Sequence, residues 1–344
     1  MTDPDIVEAR KRFGRIVSDS RHLAKMDRCL LCGKKTTKFC DSHTIPQLVL
    51  KNIETGGKLD YYNSFMANPL ENMDQGRKEV TQFRLICSEC DGKWFQEYED
   101  KEKLKNLPTE RMLNLIALKN VLFFLNKRYF EIEFNRQMNK GGGIDYYEYR
   151  QNVKRLDTRD FLWDFDRIRE MLDGSGKRYN LISWDRVEYK VPIAFQGQFS
   201  VYGDRVGNIV VDIYDHSEKI INKRMHMCVF PLSNCSVIFS FYHEDDHEYD
   251  EFAEQIRKME VEERLSFLGY LLFYICEDMA ISKQIPHRTY FYQKVRNMFT
   301  DAYDFYTDDK QRASYLMSRH RNMLKRWTMD TFPGVLTQKY ALKE

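Results

Sequence analysis

Four of the eight cysteines fall into two Cys-x-x-Cys pairs, Cys29-Leu30-Leu31-Cys32-Gly33 and Cys87-Ser88-Glu89-Cys90-Asp91. Two intervening residues let both thiolates of a pair reach one ion from a tight turn. The double pairing points to Cys29, Cys32, Cys87 and Cys90 sharing one tetrahedral Zn2+. Buried free cysteines would not need the same spacing twice. Disulfides fit less well, because the start, Met1-Thr2-Asp3-Pro4-Asp5, is polar and has no apolar run behind it, so no signal peptide is read. Cysteines in a reducing cytoplasm hold metal more often than they form disulfides, and a cytoplasmic location is expected.

Between the pairs lies Cys40-Asp41-Ser42-His43-Thr44-Ile45-Pro46. An imidazole titrates near neutrality and can take a proton from water, and carboxylates can hold a hard divalent cation. His43 is therefore a candidate general base, with Asp41 and Asp91 as candidate cation ligands. His43 is also readable as a structural residue before Pro46, or as a zinc ligand in place of a cysteine. Cys40 reads as a small buried residue rather than a fifth thiol on the metal.

Charge is uneven around the first pair. From Glu8 to Lys38 there are ten bases against three acids, although the whole chain carries only +2. Arg10, Lys11, Arg12, Arg15, Lys34, Lys35 and Lys38 form a candidate nucleic-acid surface; the same charges also suit a solvated helix. The run from His243 to Glu251 is rich in metal-capable groups but reads first as an acidic loop at a helix N-terminus. Arg312, Arg319, His320, Arg321, Lys325 and Arg326 load the last helix, with Trp327 as an aromatic that could stack on a base. The plainer reading there is an amphipathic helix with Tyr315, Leu316, Met323 and Leu324 facing inward. Gly141-Gly142-Gly143 has no following Lys-Ser/Thr and is a connector rather than a P-loop.

The elements that must position these residues follow from periodicity. Residues 5–26 read as an amphipathic helix, and Pro46 opens a short helical segment after a strand and turn. One strand is expected at 59–62 and another run, 80–86, leads into the second pair. Asp91 is expected to cap a helix over 93–103. A long helix runs from about 108 to 135 with a wide apolar face. Two shorter helices follow, at 146–156 and 158–172. Strands are expected at 187–193, 194–201, 208–215, 225–231 and 235–242, and helices at 250–259, 261–279, 290–304 and 312–328. The class is α+β. The divisions expected are 1–105 (zinc-knuckle module with a basic helix), 106–180 (helical connector) and 181–344 (an α+β unit for target or partner recognition). No apolar stretch reaches the length of a membrane span, so no membrane partner is expected.

On these residues the chain resembles the HNH nucleases, the ββα-metal class often braced by zinc knuckles. His43-Thr44-Ile45-Pro46 matches the His-x-x-Pro part of that pattern. Gln82-Phe83-Arg84-Leu85-Ile86 stands where Asn-Leu-x-x-Leu belongs, and Asp91 stands where a His or Asn opens the helix. Ser42 occupies the place of the usual acid before the histidine, a departure from the pattern, as is Gln82. The resemblance covers residues 26–100. It implies a zinc-braced ββα-metal (HNH or treble-clef-like) module acting as an endonuclease on nucleic acid, DNA before RNA. It further implies catalytic Mg2+ or Mn2+, with His43, Asp41, Asp91 and Gln82 at the site. A looser resemblance links Ser42–Ile53, Cys90–Glu99 and Phe230-Pro231-Leu232-Ser233 to uncharacterised bacterial proteins, some suspected in phage defence, which would imply a partner protein of such a system. The rival expectations are an inactive zinc-dependent module that binds nucleic acid or protein, and a structural zinc with function in residues 180–344.

Overall fold

The structure is a computed structural model that describes residues 4–62, 73–140, 145–302 and 310–343; Gly141–Gly143 lie outside them. In chain order it contains α1 (Pro4–Leu23), β1 (Ser42–His43), α2 (Gln47–Leu50), β2 (Lys58–Tyr62), β3 (Asp74–Gly76), β4 (Gln82–Phe83), α3 (Ser88–Phe95), α4 (Lys101–Leu104), α5 (Glu110–Met138) and α6 (Asp145–Leu172). There follow β5 (Tyr179–Val187), β6 (Ile193–Phe199), β7 (Met225–Pro231), β8 (Ser236–His243), α7 (Asp250–Arg257), α8 (Val261–Ile275), β9 (Met279–Ile281), α9 (Arg288–Ala302) and α10 (Lys310–Lys325). The class is α+β.

Seven strands form one sheet in the order β3-β2-β9-β6-β7-β8-β5, antiparallel at every described pairing. β6, β7 and β8 are buried on both faces. Their side chains alternate between two apolar cores, as a two-residue repeat requires. Met225, Met227, Val229 and Ile238 enter one core with α7, α8 and the C-terminal segment. Cys228, Phe230, Phe239 and Phe241 enter the other, with α5, the α6 residues Phe161 and Phe165, and the cysteine-bearing N-terminal residues. Because β2 pairs with β9, a strand from the first hundred residues is hydrogen-bonded into the sheet built by the last two hundred.

Several elements differ from expectation, each for a local reason. The helix after the second cysteine pair begins earlier: Cys87 is its N-cap and Asp91 sits inside it, while Asp100 caps α4 by accepting from the N–H groups of Glu102 and Lys103 at 2.9 and 3.0 Å. The two helices expected at 146–172 are one. Asp157, which reads as a break, is held by Arg128 at 3.0 Å, and the Thr158 hydroxyl donates to the Lys154 carbonyl. No strand forms over 208–215 beyond an isolated bridge, Gly203 to Ile209. There the Asp204 carboxylate accepts from the N–H groups of Val206, Gly207 and Asn208 and folds the chain into a loop. The strand expected at 187–193 is instead β5, which ends at Val187. The helix expected to reach 279 stops at Ile275, because Cys276 is extended and Asp278 takes φ +66°, which frees Met279–Ile281 to become β9.

Candidate metal centre and active site

The first cysteine pair sits on a tight turn. Gly33 takes φ +70°, its N–H donates to the Cys29 carbonyl at 2.8 Å, and Cys29 N–H donates to Lys34 O at 3.0 Å. Only a residue tolerant of the left-handed region closes such a turn without strain. The second pair is held by a helix: Cys87 precedes α3 and Cys90 lies in its first turn. Backbone bonds from Leu30 to Leu85 (2.9 Å) and from Cys40 to Ile86 (2.8 Å) pin the two pieces together.

The result is one four-sulfur cluster. The Sγ atoms of Cys29, Cys32, Cys87 and Cys90 all lie within 4.8 Å of one another, and Cys32 and Cys87 are 3.9 Å apart. A tetrahedral site with metal–sulfur bonds of about 2.3 Å has sulfur–sulfur edges of about 3.8 Å. The cluster therefore fits a single metal ion with side-chain adjustments of about an ångström. Burial pushes the Cys29 thiol up, but N–H groups of Cys32, Cys87 and Leu31 outweigh it and bring it down to about 7. Cys90 is pushed up, by burial and by the sulfurs beside it. Four thiolates side by side repel one another, and a cation at their centre relieves that repulsion. Cys40 is not part of the cluster. Burial, then the charge of Asp91, raises its thiol to about 11.

Beside the cluster, β1 and β4 pair antiparallel with Ser42 opposite Phe83 and His43 opposite Gln82. Thr44 N–H continues the pairing to Thr81 O at 3.0 Å, across a backbone that takes φ +55° at Thr81. Side chains alternate along β1. The buried Ser42 hydroxyl donates to Asp91 Oδ1 on α3, while the exposed Asp41 is engaged by Arg84 Nε. His43 is half-buried, with Nε2 2.9 Å from the Lys78 carbonyl. A carbonyl only accepts, so Nε2 carries the hydrogen and the neutral ring presents its lone pair at Nδ1. The pKa of His43 is lowered, by burial first and by the nearby Lys119 charge; the Lys78 bond, Glu99 and Asp41 oppose that shift.

Lys119 has no place in the sequence motifs, and Glu99 enters them only as the end of the Cys90–Glu99 segment. Lys119 is 2% exposed, ion-paired to Glu99, with its ammonium 4.6 Å above the Phe95 ring. The signal that marks it is a lysine inside the apolar run Leu115–Leu122 of α5, since a buried ammonium requires a partner.

The basic residues divide. Arg10, Lys11, Arg12 and Arg15 are exposed on α1, which docks on α5 through Phe13 against Phe134 at 5.9 Å. Arg15 reaches Glu8 at 3.7 Å and Lys34 reaches Glu89 at 3.2 Å. Lys35 and Lys38 are exposed next to the first pair. The acidic run after β8 is used internally: Arg167 grips the buried Asp246 at 2.7 and 3.0 Å, and Asp250 takes the Tyr242 hydroxyl at 2.7 Å. It forms no metal-type cluster among the described residues. Trp327 is buried, with Arg205 4.9 Å above its ring, whereas Tyr315 is 65% exposed, the reverse of the expected arrangement. No described helix is long and apolar enough to cross a membrane.

Comparison with known proteins finds no matching family model, no significantly similar curated protein and no significantly similar solved structure.

Proposed function

We propose that this chain is a metal-dependent, HNH-like endonuclease, braced by one Zn2+ on Cys29, Cys32, Cys87 and Cys90, that hydrolyses phosphodiester bonds in nucleic acid, DNA in the first instance. The observation that carries the reading is a strand–strand–helix unit wrapped on the four-sulfur cluster. His43 stands on its first strand, Gln82 directly across on the second, and Asp91 on the helix. In the reaction, His43 Nδ1 takes the proton of a water whose oxygen attacks phosphorus. The bond from phosphorus to the leaving oxygen then breaks, and that oxygen is protonated from solvent. A divalent Mg2+ or Mn2+ would neutralise charge developing on the phosphate. Asp91 would hold it through the carboxylate oxygen not engaged by Ser42. The Lys78 carbonyl orients the imidazole, and Gln82 stands directly across the strand pair from it. The exposed bases of α1, with Lys34, Lys35 and Lys38, supply attraction for the phosphate backbone. A cytoplasmic role in bacterial phage defence, alongside a partner protein, belongs to the same proposal.

A second reading is favoured by one specific feature. Ser42 stands next to the histidine where a carboxylate would strengthen cation binding, and Asp41 is engaged by Arg84. With a single carboxylate at the site, the module would be an inactive binder of nucleic acid or protein. Nicking of supercoiled plasmid with Mg2+ or Mn2+, comparing the protein with His43→Ala at equal zinc content, separates the two. Cleavage lost in the variant supports the nuclease. Intact DNA and RNA with both proteins, each holding one zinc, supports the binder.

A further inference from the structure

The outer face of α10 lines an open groove of about 400 Å³. The inner face fixes the helix in place. Leu316, Leu324 and Trp327 are buried, and His320 is bonded to the hydroxyls of Tyr274 at 2.5 Å and Tyr214 at 3.4 Å. The groove residues of α10 (Tyr315, Ser318, Arg319, Asn322 and Met323) recur at the three- and four-residue spacing of one helix face, and Arg326, in the turn just past the helix, continues the row with its N–H bonded to Asn322 O at 3.0 Å. Tyr270 of α8, buried and stacked at 5.3 Å on Tyr274, also lines the groove. At its edge Tyr315 is 65% exposed, a large ring left in water. Ser318, Asn322 and Arg326 are exposed too.

Three features narrow the ligand. No Asp or Glu occurs from Lys310 to Met329, so the segment itself contributes only positive side-chain charge to this face. Arg319 and Arg326 are two helical turns apart, about 10.5 Å along the axis, which suits separated anionic groups better than one compact anion. Aromatic rings beside arginines, with a hydroxyl and an amide between, offer stacking, phosphate and polar-edge contacts together. The volume falls in the range of small-ligand sites.

We propose that this groove is a nucleoside-phosphate site that holds a segment of a single nucleic-acid strand, with one base on Tyr315 and phosphates on Arg319 and Arg326. The assignment does not depend on cleavage at His43, and its failure would leave that reading intact.

The test is fluorescence anisotropy with the full, metal-loaded chain, a labelled dT 12-mer and no added divalent cation. Tyr315→Ala is expected to weaken binding roughly 5- to 150-fold, the loss that one base–aromatic stack gives, whereas Tyr315→Phe binds like the parent. Arg326→Gln is expected to lower the slope of log K against log salt by about 0.7. Photocrosslinking of a 5-iodouracil oligonucleotide is expected to map to Tyr315, and to persist when Arg10, Lys11 and Arg12 are changed to Gln. Displacement of the 12-mer by AMP would extend the site to free nucleotides; no displacement, with the variants still impaired, would restrict it to strands. Parent-like affinity in both Tyr315→Ala and Arg326→Gln overturns the proposal. Equal competition by poly-glutamate overturns it as well, because any polyanion would then suffice.

Discussion

Replacing Lys127 by Met is expected to lower the melting temperature by about 4–7 °C, by stranding a buried carboxylate at the joint between β2 and β9. Lys127 Nζ is 2.6 Å from both Glu277 Oε2 and Asp278 Oδ2. The lysine side chain is 11% exposed, Glu277 41% and Asp278 8%. Glu277 can turn to water, so the penalty falls on Asp278. That residue is pinned: its N–H donates to Tyr62 O at 2.8 Å, its Oδ1 takes the Tyr61 hydroxyl at 2.7 Å, and its φ is +66°. Removing one partner of a buried pair costs about 3–5 kcal/mol. An unfolding entropy of about 2.1 cal/mol/K per residue, over 344 residues, converts that to the stated shift. The effect has a pH signature. Burial raises Asp278 above its ordinary value of 3.8 and Lys127 opposes the rise, so in Lys127→Met the carboxyl climbs further. The folded variant then binds more protons than the unfolded chain between the two values. Its deficit therefore grows as pH rises through that window and levels off above the folded pKa. Thermal unfolding of both proteins across the range from the unfolded carboxylate value up to mildly basic pH, with Lys127→Met/Asp278→Asn as a third, measures this. The double variant should recover most of the loss. A deficit under 1 °C at every pH, or no recovery in the double variant, would refute the reasoning.

Three further outcomes are expected. Stripping the metal with a chelator should release one zinc per chain and make Cys29, Cys32, Cys87 and Cys90 reactive to a chromogenic disulfide, while the buried Cys228 and Cys235 stay silent; peptide mapping of the labelled thiols checks it. His43 should titrate below an ordinary histidine, so its base form persists into mildly acidic solution, and Lys119→Met should move the titration to higher pH by removing a repelling charge; NMR of the imidazole C–H resonances reads both. Ser42→Asp would set a second carboxylate against Asp91 and should tighten Mn2+ binding by about tenfold or more, measured calorimetrically with zinc in place; unchanged affinity would mean that Asp91 faces no cation position.

The four-cysteine cluster was legible because its chemistry is local: two residues between thiolates dictate a turn, and the pairing needs little from the rest of the fold. α5 was legible for the same reason, since its apolar face persists over many turns. What was hidden depends on partners distant in sequence. Lys119 looks like an error in an apolar run until Glu99 is seen beside it. Asp41 and Ser42 are adjacent, yet strand alternation sends one to Arg84 and the other to Asp91, and only pairing with β4 fixes which. β9 is three residues long and reads as the tail of α8, because Asp278 is held left-handed by contacts with Tyr61, Tyr62 and Lys127 rather than by any turn motif. Trp327 and Tyr315 lie twelve positions apart on one surface-like pattern, and packing under Arg205 decides which is buried.

The pairing of Asp60 with Ile281 and of Tyr62 with Met279 has a consequence for biosynthesis. The strand that follows the first cysteine pair leaves the ribosome some 220 residues before its neighbour in the sheet. At about 5–20 residues per second that is roughly 10–45 s. Through this interval β2 has an open hydrogen-bonding edge on its β9 side, the kind of edge that recruits other chains. Both cysteine pairs are complete by residue 90, so metal capture by the nascent chain can precede sheet closure and order the N-terminal end during the wait. On the proposed zinc assignment, metal supply during translation would govern how much of the protein reaches its folded state, and not only how stable that state is once formed.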